Sequence, residues 1–111
     1  MFSDTPHRLR WPRAQRFTLS PKGLEAETTY RSSVVASRAL DGRASFDAAR
    51  VAWAVPLGID PDDGVYLCEI RDRPVGLGAL VEALAPCDKT RQDTVNALER
   101  LLDAGLVATA D

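Results

Sequence analysis

Apolar residues near the C-terminus recur at helical spacing. With residues 91–104 drawn at 100° per residue, four side chains fall on one side and should face the core: Val95, Leu98, Leu101 and Leu102. Thr90 and Asp93 have the spacing of a capping box at the start of this helix, with aspartate in the place usually held by glutamate or glutamine. Gly105 is placed to end it in a left-handed conformation.

Two shorter helices are predicted before this one. The first opens at Asp60-Pro61, has Asp62 and Asp63 in its first turn, where the helix dipole favours anions, and contains Val65, Tyr66, Leu67 and Ile70. The second ends at Pro86, and its apolar positions lie on one face: Leu77, Leu80, Val81 and Leu84. Residues 73–75 form a short extended link between them.

Two short strands are predicted near the ends of the chain. Phe17 and Leu19 alternate with polar neighbours, which is a period-2 strand signal. Ser20-Pro21 then offers a helix N-cap and a proline at the first helical position. Residues 106–109 are the second candidate strand.

Residues 22–55 are ambiguous from sequence alone. A loose helical stripe favours a helix over residues 22–40, but strand-forming residue types leave a hairpin over residues 28–55 open. Asp41-Gly42 fits either a hairpin turn or a helix cap. Ser45 is expected to cap a further helix that ends at Pro56.

These elements predict a mainly helical (α+β) protein. The chain has 111 residues, of which 45% are hydrophobic and 27% charged, and this suits one globular domain. We expect residues 1–15 to form a flexible basic arm. Residues 16–111 should form a single domain, in which a strand and helix extension (16–59) precedes a helix-turn-helix core (60–111).

Composition argues against a membrane protein, a secreted protein and a metal-binding protein. No apolar run approaches the ~20 residues that span a bilayer, and the start lacks a secretory signal, so we expect a cytoplasmic protein that does not enter membranes. Cys68 and Cys87 show no metal spacing and are expected to be free, buried and structural, while His7 is the single histidine. We therefore expect no metal and no cofactor.

Charge is distributed unevenly along the chain. The net charge is +4 over residues 1–23, zero over residues 24–55 and −6 over residues 56–111. A basic arm on an acidic body suggests that the two ends of the chain meet different partners.

The C-terminal half of the chain resembles the winged helix-turn-helix superfamily. The stretches YLCEIRDRPVGLGALVEAL and TVNALERLLDAGLV, within residues 61–109, carry the resemblance. Their order is helix, short link, helix, tight turn, helix and a strand opening with GLV. The resemblance implies a winged-helix-like three-helix core with a small β-sheet.

Members of that superfamily usually continue into a second wing strand, but this chain ends at Asp111. The N-terminal stretch RFTLSPKGLEA resembles the strand and helix that follow the wing in MarR- and PadR-type regulators. We therefore predict that residues 17–19 pair with residues 106–109, in the same chain or in a second copy. The chain is also similar to RiPP recognition elements, which place strands before three helices and bind a peptide as an added strand. A hairpin over residues 28–55 would favour this second group.

The resemblance implies that the last helix inserts its N-terminal half into the DNA major groove. Arginine or lysine can bind guanine there, and glutamine or asparagine can bind adenine. The candidates on this helix are Lys89, Thr90, Arg91, Gln92 and Asn96. Basic arms reach into minor grooves or along phosphates, and the candidates in the arm are Arg8, Arg10, Arg13 and Arg16.

The same residues also fit a protein that does not bind DNA. The outer face of the last helix is typical of a solvated helix as well, and an acidic module is poorly suited to neutralising phosphates. The arm fits a solvated tail, or a segment that docks on the acidic surface of its own chain or of a partner copy. Trp11 favours docking, because an exposed tryptophan in a tail buries nothing.

No enzyme motif is present. The chain has no nucleophile elbow, P-loop or dinucleotide loop, and the acids at residues 60–63 do not complete a calcium loop. The sequence therefore predicts a non-catalytic DNA-binding regulator or nucleoid-associated factor that acts by occupying double-stranded DNA, with a homodimer as a possible form. The alternative is a module that recognises a protein or a leader peptide without binding DNA.

Overall fold

A computed structural model of the protein describes residues 11–37 and 42–110. Arg8 and Arg10 lie outside the described residues, as does Asp41 of the Asp41-Gly42 pair. The elements are, in order, β1 (Arg16–Leu19), α1 (Pro21–Thr29, continued by a π-helical segment, Tyr30–Val35), α2 (Arg43–Ala54), α3 (Gly64–Ile70), β2 (Val75–Gly76), α4 (Leu77–Leu84), α5 (Arg91–Asp103) and β3 (Val107–Ala110). This mainly helical architecture with one small sheet confirms the predicted α+β class.

The sheet has three antiparallel strands in the order β2-β1-β3, so the first strand of the chain lies in the middle. Phe17 is the Cα partner of Val75 on one side and of Thr109 on the other, and Leu19 is the partner of Val107. The predicted pairing of residues 17–19 with residues 106–109 is confirmed, and it occurs within one chain. The N-terminal strand thereby bridges β2 and β3, which α4 and α5 separate along the chain.

Residues 21–37 and 43–54 are helical, so the hairpin alternative for residues 28–55 is wrong. Ser20 caps α1 by accepting a hydrogen bond from the Gly23 amide at 3.0 Å. The strand-forming types in this region serve packing instead, because the Tyr30 ring lies 4.7 Å from the ring of Trp53 on α2. Burial of these two aromatic rings outweighs the local strand propensity.

Helix α2 starts earlier than predicted and without a serine cap. Gly42, with a φ of +87°, precedes its first residue, so Ser45 lies in the first turn and is not the cap. The helix ends at Ala54, and Pro56 follows in a 3₁₀ turn, which confirms the predicted stop near this proline.

One hydrophobic cluster joins the sheet and the helices. The predicted core positions of α5 are buried as expected, since Val95, Leu98 and Leu101 are at most 1% exposed, while Leu102 is half-buried. Phe17 on β1 and Leu80 on α4 are fully buried in the same cluster. The described helices include none with the length and apolar character needed to cross a membrane.

Residues 11–15 pack against the domain, so the prediction of a flexible arm is wrong for these residues. The Trp11 ring meets the Phe17 ring edge-on, with centroids 5.0 Å apart. The first amides of α4 also use this segment, because Leu77 N–H donates to the Gln15 carbonyl at 2.8 Å and Gly78 N–H to the Arg13 carbonyl at 3.0 Å. These amides have no acceptor inside their own helix, so the segment acts as their cap.

The cysteines differ from each other. Cys68 is half-buried, and burial, aided by the nearby Glu27 carboxylate, raises the pKa of its thiol to about 11. Cys87 is exposed in the 3₁₀ turn after α4, so the prediction that both thiols are buried is wrong for this residue.

Candidate nucleic-acid interface

A tight turn connects α4 to α5. It consists of a 3₁₀ segment, Ala85–Cys87, followed by Asp88 in the left-handed conformation with a φ of +63°. Asp88 N–H donates to the Ala85 carbonyl at 3.0 Å, and Lys89 N–H donates to the Leu84 carbonyl at 3.2 Å. Aspartate tolerates this backbone conformation better than most residues do, so the turn is compatible with its sequence.

The start of α5 is held by the predicted capping box. Thr90 Oγ1 accepts from the Asp93 amide at 3.0 Å, and Asp93 Oδ2 accepts from the Thr90 amide at 2.9 Å. Behind it, the buried Thr94 hydroxyl donates to the Thr90 carbonyl and lies 3.3 Å from the Tyr66 hydroxyl. The Thr90 side chain is therefore engaged in starting the helix, which makes it a positioning residue within the candidate surface.

The cap predicts a pH dependence. The backbone and side-chain hydrogen bonds from Thr90 lower the pKa of the Asp93 carboxyl below its ordinary value of 3.8. A lowered pKa in the folded state means that this stabilisation is present above about pH 4 and is lost as the pH falls through the folded-state value. We expect Asp93→Asn to lower the thermal midpoint at pH 7, and the difference from wild type to shrink towards zero as the pH falls through the lowered folded-state pKa.

The matched control for this experiment is Asp103→Asn at the other end of α5. A carboxylate there faces the unfavourable end of the helix dipole, so its removal should not lower the midpoint at neutral pH. A constant difference between wild type and Asp93→Asn from about pH 2.5 to about pH 7 would contradict a role for the ionised carboxylate.

The next residues of α5 form the exposed part of the candidate surface. Gln92 is exposed, Arg91 and Asn96 are half-buried, and Gln92 Nε2 donates to Asn96 Oδ1 at 2.9 Å. Among the described residues, the Arg91 guanidinium has no ion-pair partner. A cation and two amide side chains are therefore at least partly accessible on the first two turns of a capped helix.

Lys89 is less available than its sequence position suggests. Its ammonium lies 3.2 Å from Asp62 Oδ2, and Asp62 also accepts a hydrogen bond from Arg50. Partial burial alone would raise the pKa of Asp62, but the hydrogen bonds from Lys89 and Arg50 outweigh it and lower that pKa. A ligand phosphate would have to compete with this carboxylate for Lys89.

Arg100, further along α5, is also neutralised within the protein. Its guanidinium binds both oxygens of Asp63, at 2.8 and 2.9 Å, and Asp63 is only 1% exposed. Asp63 in turn accepts from the Asp60 amide at 3.1 Å, and hydrogen bonding to Asp63 raises the pKa of Arg100. This two-bond ion pair fixes α5 against the turn that begins α3.

The basic residues near the N-terminus form a separate group. Arg13 Nη2 lies 3.1 Å from Glu82 Oε2, but both side chains are mostly exposed, so the ion pair is weak. Arg16 is exposed on β1, opposite Gly76 and Ala110. Both lie near the start of α4, whereas the candidate residues 89–96 follow its end. The eight residues of α4 span about 12 Å.

The structure thus assigns the predicted site residues to two places. Residues 89–96 lie together at the start of α5, and Arg13 and Arg16 lie at the sheet. Sequence analysis missed the carboxylates that neutralise Lys89 and Arg100, and no local spacing signal could have identified them, because the partners are 27 and 37 residues apart.

An open cavity of about 300 Å³ adjoins Lys89. Tyr30 and the exposed Cys87 contribute to its lining, together with three cations and two carboxylates: Arg43, Arg50, Lys89, Asp47 and Asp62. Arg50 already pairs with both carboxylates, and Lys89 pairs with one of them. The charges of this cavity are largely satisfied internally.

Comparison with known proteins gives no relative. No protein-family model, no curated protein and no solved structure shows significant similarity to this chain.

Proposed function

We propose that this protein is a non-catalytic DNA-binding module that acts by occupying duplex DNA. The observation that carries the proposal is the start of α5, where Gln92 is exposed and Arg91 and Asn96 are partly accessible on a helix held by a capping box and a tight turn. A helix of this kind is the element that enters a major groove in helix-turn-helix proteins. The winged-helix resemblance of residues 61–109 supports the same proposal.

The chemistry of the three side chains suits base recognition. Arg91 can donate two hydrogen bonds to the acceptors of a guanine edge, and a glutamine or asparagine amide can both donate to and accept from adenine. The hydrogen bond between Gln92 and Asn96 would let one amide group hold the other in position, and the positioned amide would contact the base. Binding of this type needs no cofactor and changes no covalent bond.

Phosphate contacts would come from the second group of cations. Arg16 is exposed at the end of the sheet beside the start of α4, and Arg13 is held to Glu82 by a weak surface ion pair that a phosphate can displace. Because Lys89 and Arg100 are already paired in the part of the chain that the structure describes, we expect the affinity to fall with salt along a shallow slope. A cytoplasmic location belongs to this proposal.

Anisotropy titrations with labelled duplexes across a salt series test the proposal. Wild type should bind random duplex with a dissociation constant of about 10⁻⁴ to 10⁻⁶ M, and more tightly to a selected site. Arg91→Ala should weaken binding to that site about ten- to hundredfold, the loss of one two-bond contact to guanine. The triple change of Arg8, Arg10 and Arg13 to alanine should reduce the salt slope.

Asp103→Asn is the matched control, because Asp103 is exposed on α5 at the end away from Arg91. It should not weaken binding. Absence of duplex binding at low salt, or equal affinity of wild type and Arg91→Ala on the selected site, would contradict the proposal.

A second candidate function is recognition of a peptide at the edge of the sheet. The specific observation is that β3 pairs with β1 alone in the part of the chain that the structure describes, which leaves its outer edge for an added strand. The acidic charge of residues 56–111 would favour a basic peptide. Backbone amide shifts in Val107–Ala110 on adding a peptide, with none at residues 91–96 on adding DNA, would support this function over DNA binding.

A further inference from the structure

Helix α2 carries an uncharged face that points away from the core. Four residues of α2 and its C-cap residue, which keeps a helical backbone conformation, lie within an arc of about 100°, and all five are exposed: Ala44, Ala48, Val51, Ala52 and Val55. The two valines are its large apolar side chains, and both are well exposed: Val51 is 48% and Val55 68% exposed. The other face of the same helix already buries Trp53 and Ala54 in the core.

A surface helix normally has one apolar face and one polar face. In α2 the charged side chains lie to one side of the exposed arc, where Arg50 pairs with Asp47 at 3.2 Å and with Asp62. The outward arc therefore has the composition of an interface core, in which charged residues are depleted.

We propose that this face binds the same face of a second copy of the chain, with the two α2 helices antiparallel. The argument is the order of side-chain sizes along the arc. Its N-terminal half presents alanines at 44 and 48, and its C-terminal half presents valines at 51 and 55.

A two-fold axis between residues 49 and 50 matches these halves. It sets Ala44 opposite Val55 of the second copy and Ala48 opposite Val51 of the second copy, and the reverse pairs follow by symmetry. Each branched side chain then faces a methyl group, which leaves room for it and lets the helix backbones approach closely. The row formed by residues 44, 48, 51 and 55 is self-complementary in this orientation, with Ala52 opposite Asp47 of the second copy at the edge of the contact. A parallel pairing in register would instead put valine against valine.

Helix polarity agrees with the antiparallel orientation. The same two-fold axis sets Arg43, whose side chain is 85% exposed, opposite Pro56 of the second copy. Pro56 follows the C-terminal end of α2, where the helix dipole attracts a cation. In its own helix Arg43 occupies the first position, where a positive charge is unfavourable.

The size of the face sets the strength of the dimer. Twelve residues of helix are about 18 Å long, so the contact is small compared with the ~1,600 Å² of a standard interface. We therefore expect a reversible dimer that forms in the micromolar range or above and does not depend on DNA.

Sedimentation velocity without DNA, from about 5 µM to about 500 µM, tests this proposal. Wild type should shift from monomer to dimer across the range. Ala48→Glu and Val51→Lys should each shift the transition at least about tenfold upward in concentration, because each buries an unpaired charge in the apolar contact. An equimolar mixture of the two variants should restore the dimer, since the carboxylate at position 48 then faces the ammonium at position 51.

Leu24→Glu is the matched control, because Leu24 on α1 is 44% exposed and lies outside the arc. It should dimerise as wild type does, and circular dichroism should show that all variants stay folded. A wild type that remains monomeric at the highest concentration would overturn the proposal and leave the face to a different partner. A mixture that fails to dimerise would overturn the antiparallel register, and with it the proposal. Neither outcome depends on whether the protein binds DNA.

Discussion

Gly23→Ala should destabilise the protein by about 3 kcal/mol or more, although the same change in an ordinary helix stabilises it by about 1 kcal/mol. A Cβ atom built on Gly23 would lie 1.8 Å from the backbone oxygen of Leu106. That oxygen accepts the Ser20 amide at 3.0 Å, so α1 cannot retreat without breaking the junction between β1, α1 and the start of β3. Urea unfolding followed by circular dichroism measures the change.

Gly78→Ala provides the matched comparison, because Gly78 is also a buried glycine in the first turn of a helix. There the nearest atom to the added Cβ is the Arg13 guanidinium nitrogen, 2.9 Å away. This is the end of a flexible, mostly exposed side chain, so it can move aside. We expect a stability within about 1 kcal/mol of wild type. Equal tolerance of both substitutions would contradict the close approach of α1 to Leu106.

Leu98→Ala should cost about 2–5 kcal/mol, the range measured for leucine truncation in well-packed cores. Leu98 is fully buried on the inner face of α5, in the cluster shared with Phe17 and Leu80. The loss combines the transfer energy of the removed methyl groups with the cavity left behind. The free energy of unfolding from urea titration measures it.

Leu102→Ala is the control for this second prediction, because Leu102 lies on the same helix but is half-buried. Its truncation should cost about 1 kcal/mol. Equal losses of stability in the two variants would contradict the packing of Leu98 in the core. Under conditions where Leu98→Ala remains folded, its DNA affinity should match wild type, since the Leu98 side chain is fully buried and contributes nothing to the exposed surface.

DNA binding and dimer formation are proposed for different surfaces of the protein. The start of α5 is proposed to contact DNA, and the outer face of α2 is proposed to contact a second copy. Their variants change different residues and are measured by different methods, so either proposal can fail without the other. A dimer that also binds DNA would present two copies of the α5 surface to one duplex, and two linked contacts raise the overall affinity.

Much of the candidate site could be predicted from local spacing. The capping box requires two residues three positions apart, and the apolar stripe of α5 repeats within two turns, so both signals are complete in a short window. The pairing of β1 with β3 spans most of the chain, and it was predicted from the resemblance to wing strands. The charged partners of α5 could not be predicted, because any of eleven acids in residues 56–111 could have faced Lys89 or Arg100.

The sequence by itself determined the three helices after residue 60, the caps at Ser20 and Thr90 and the two strands that begin and end the domain. These features depend on hydrogen bonds and apolar periodicity between near neighbours. Only the tertiary structure decided which cations stay available for a ligand, because Asp62 and Asp63 reach across from the turn before α3 to neutralise Lys89 and Arg100. It also decided that residues 11–15 pack against the domain, because the first amides of α4 need acceptors from another part of the chain. A single sequence shows periodic patterns for local structure. It shows no such pattern for burial or hydrogen bonding between residues that are far apart in the chain.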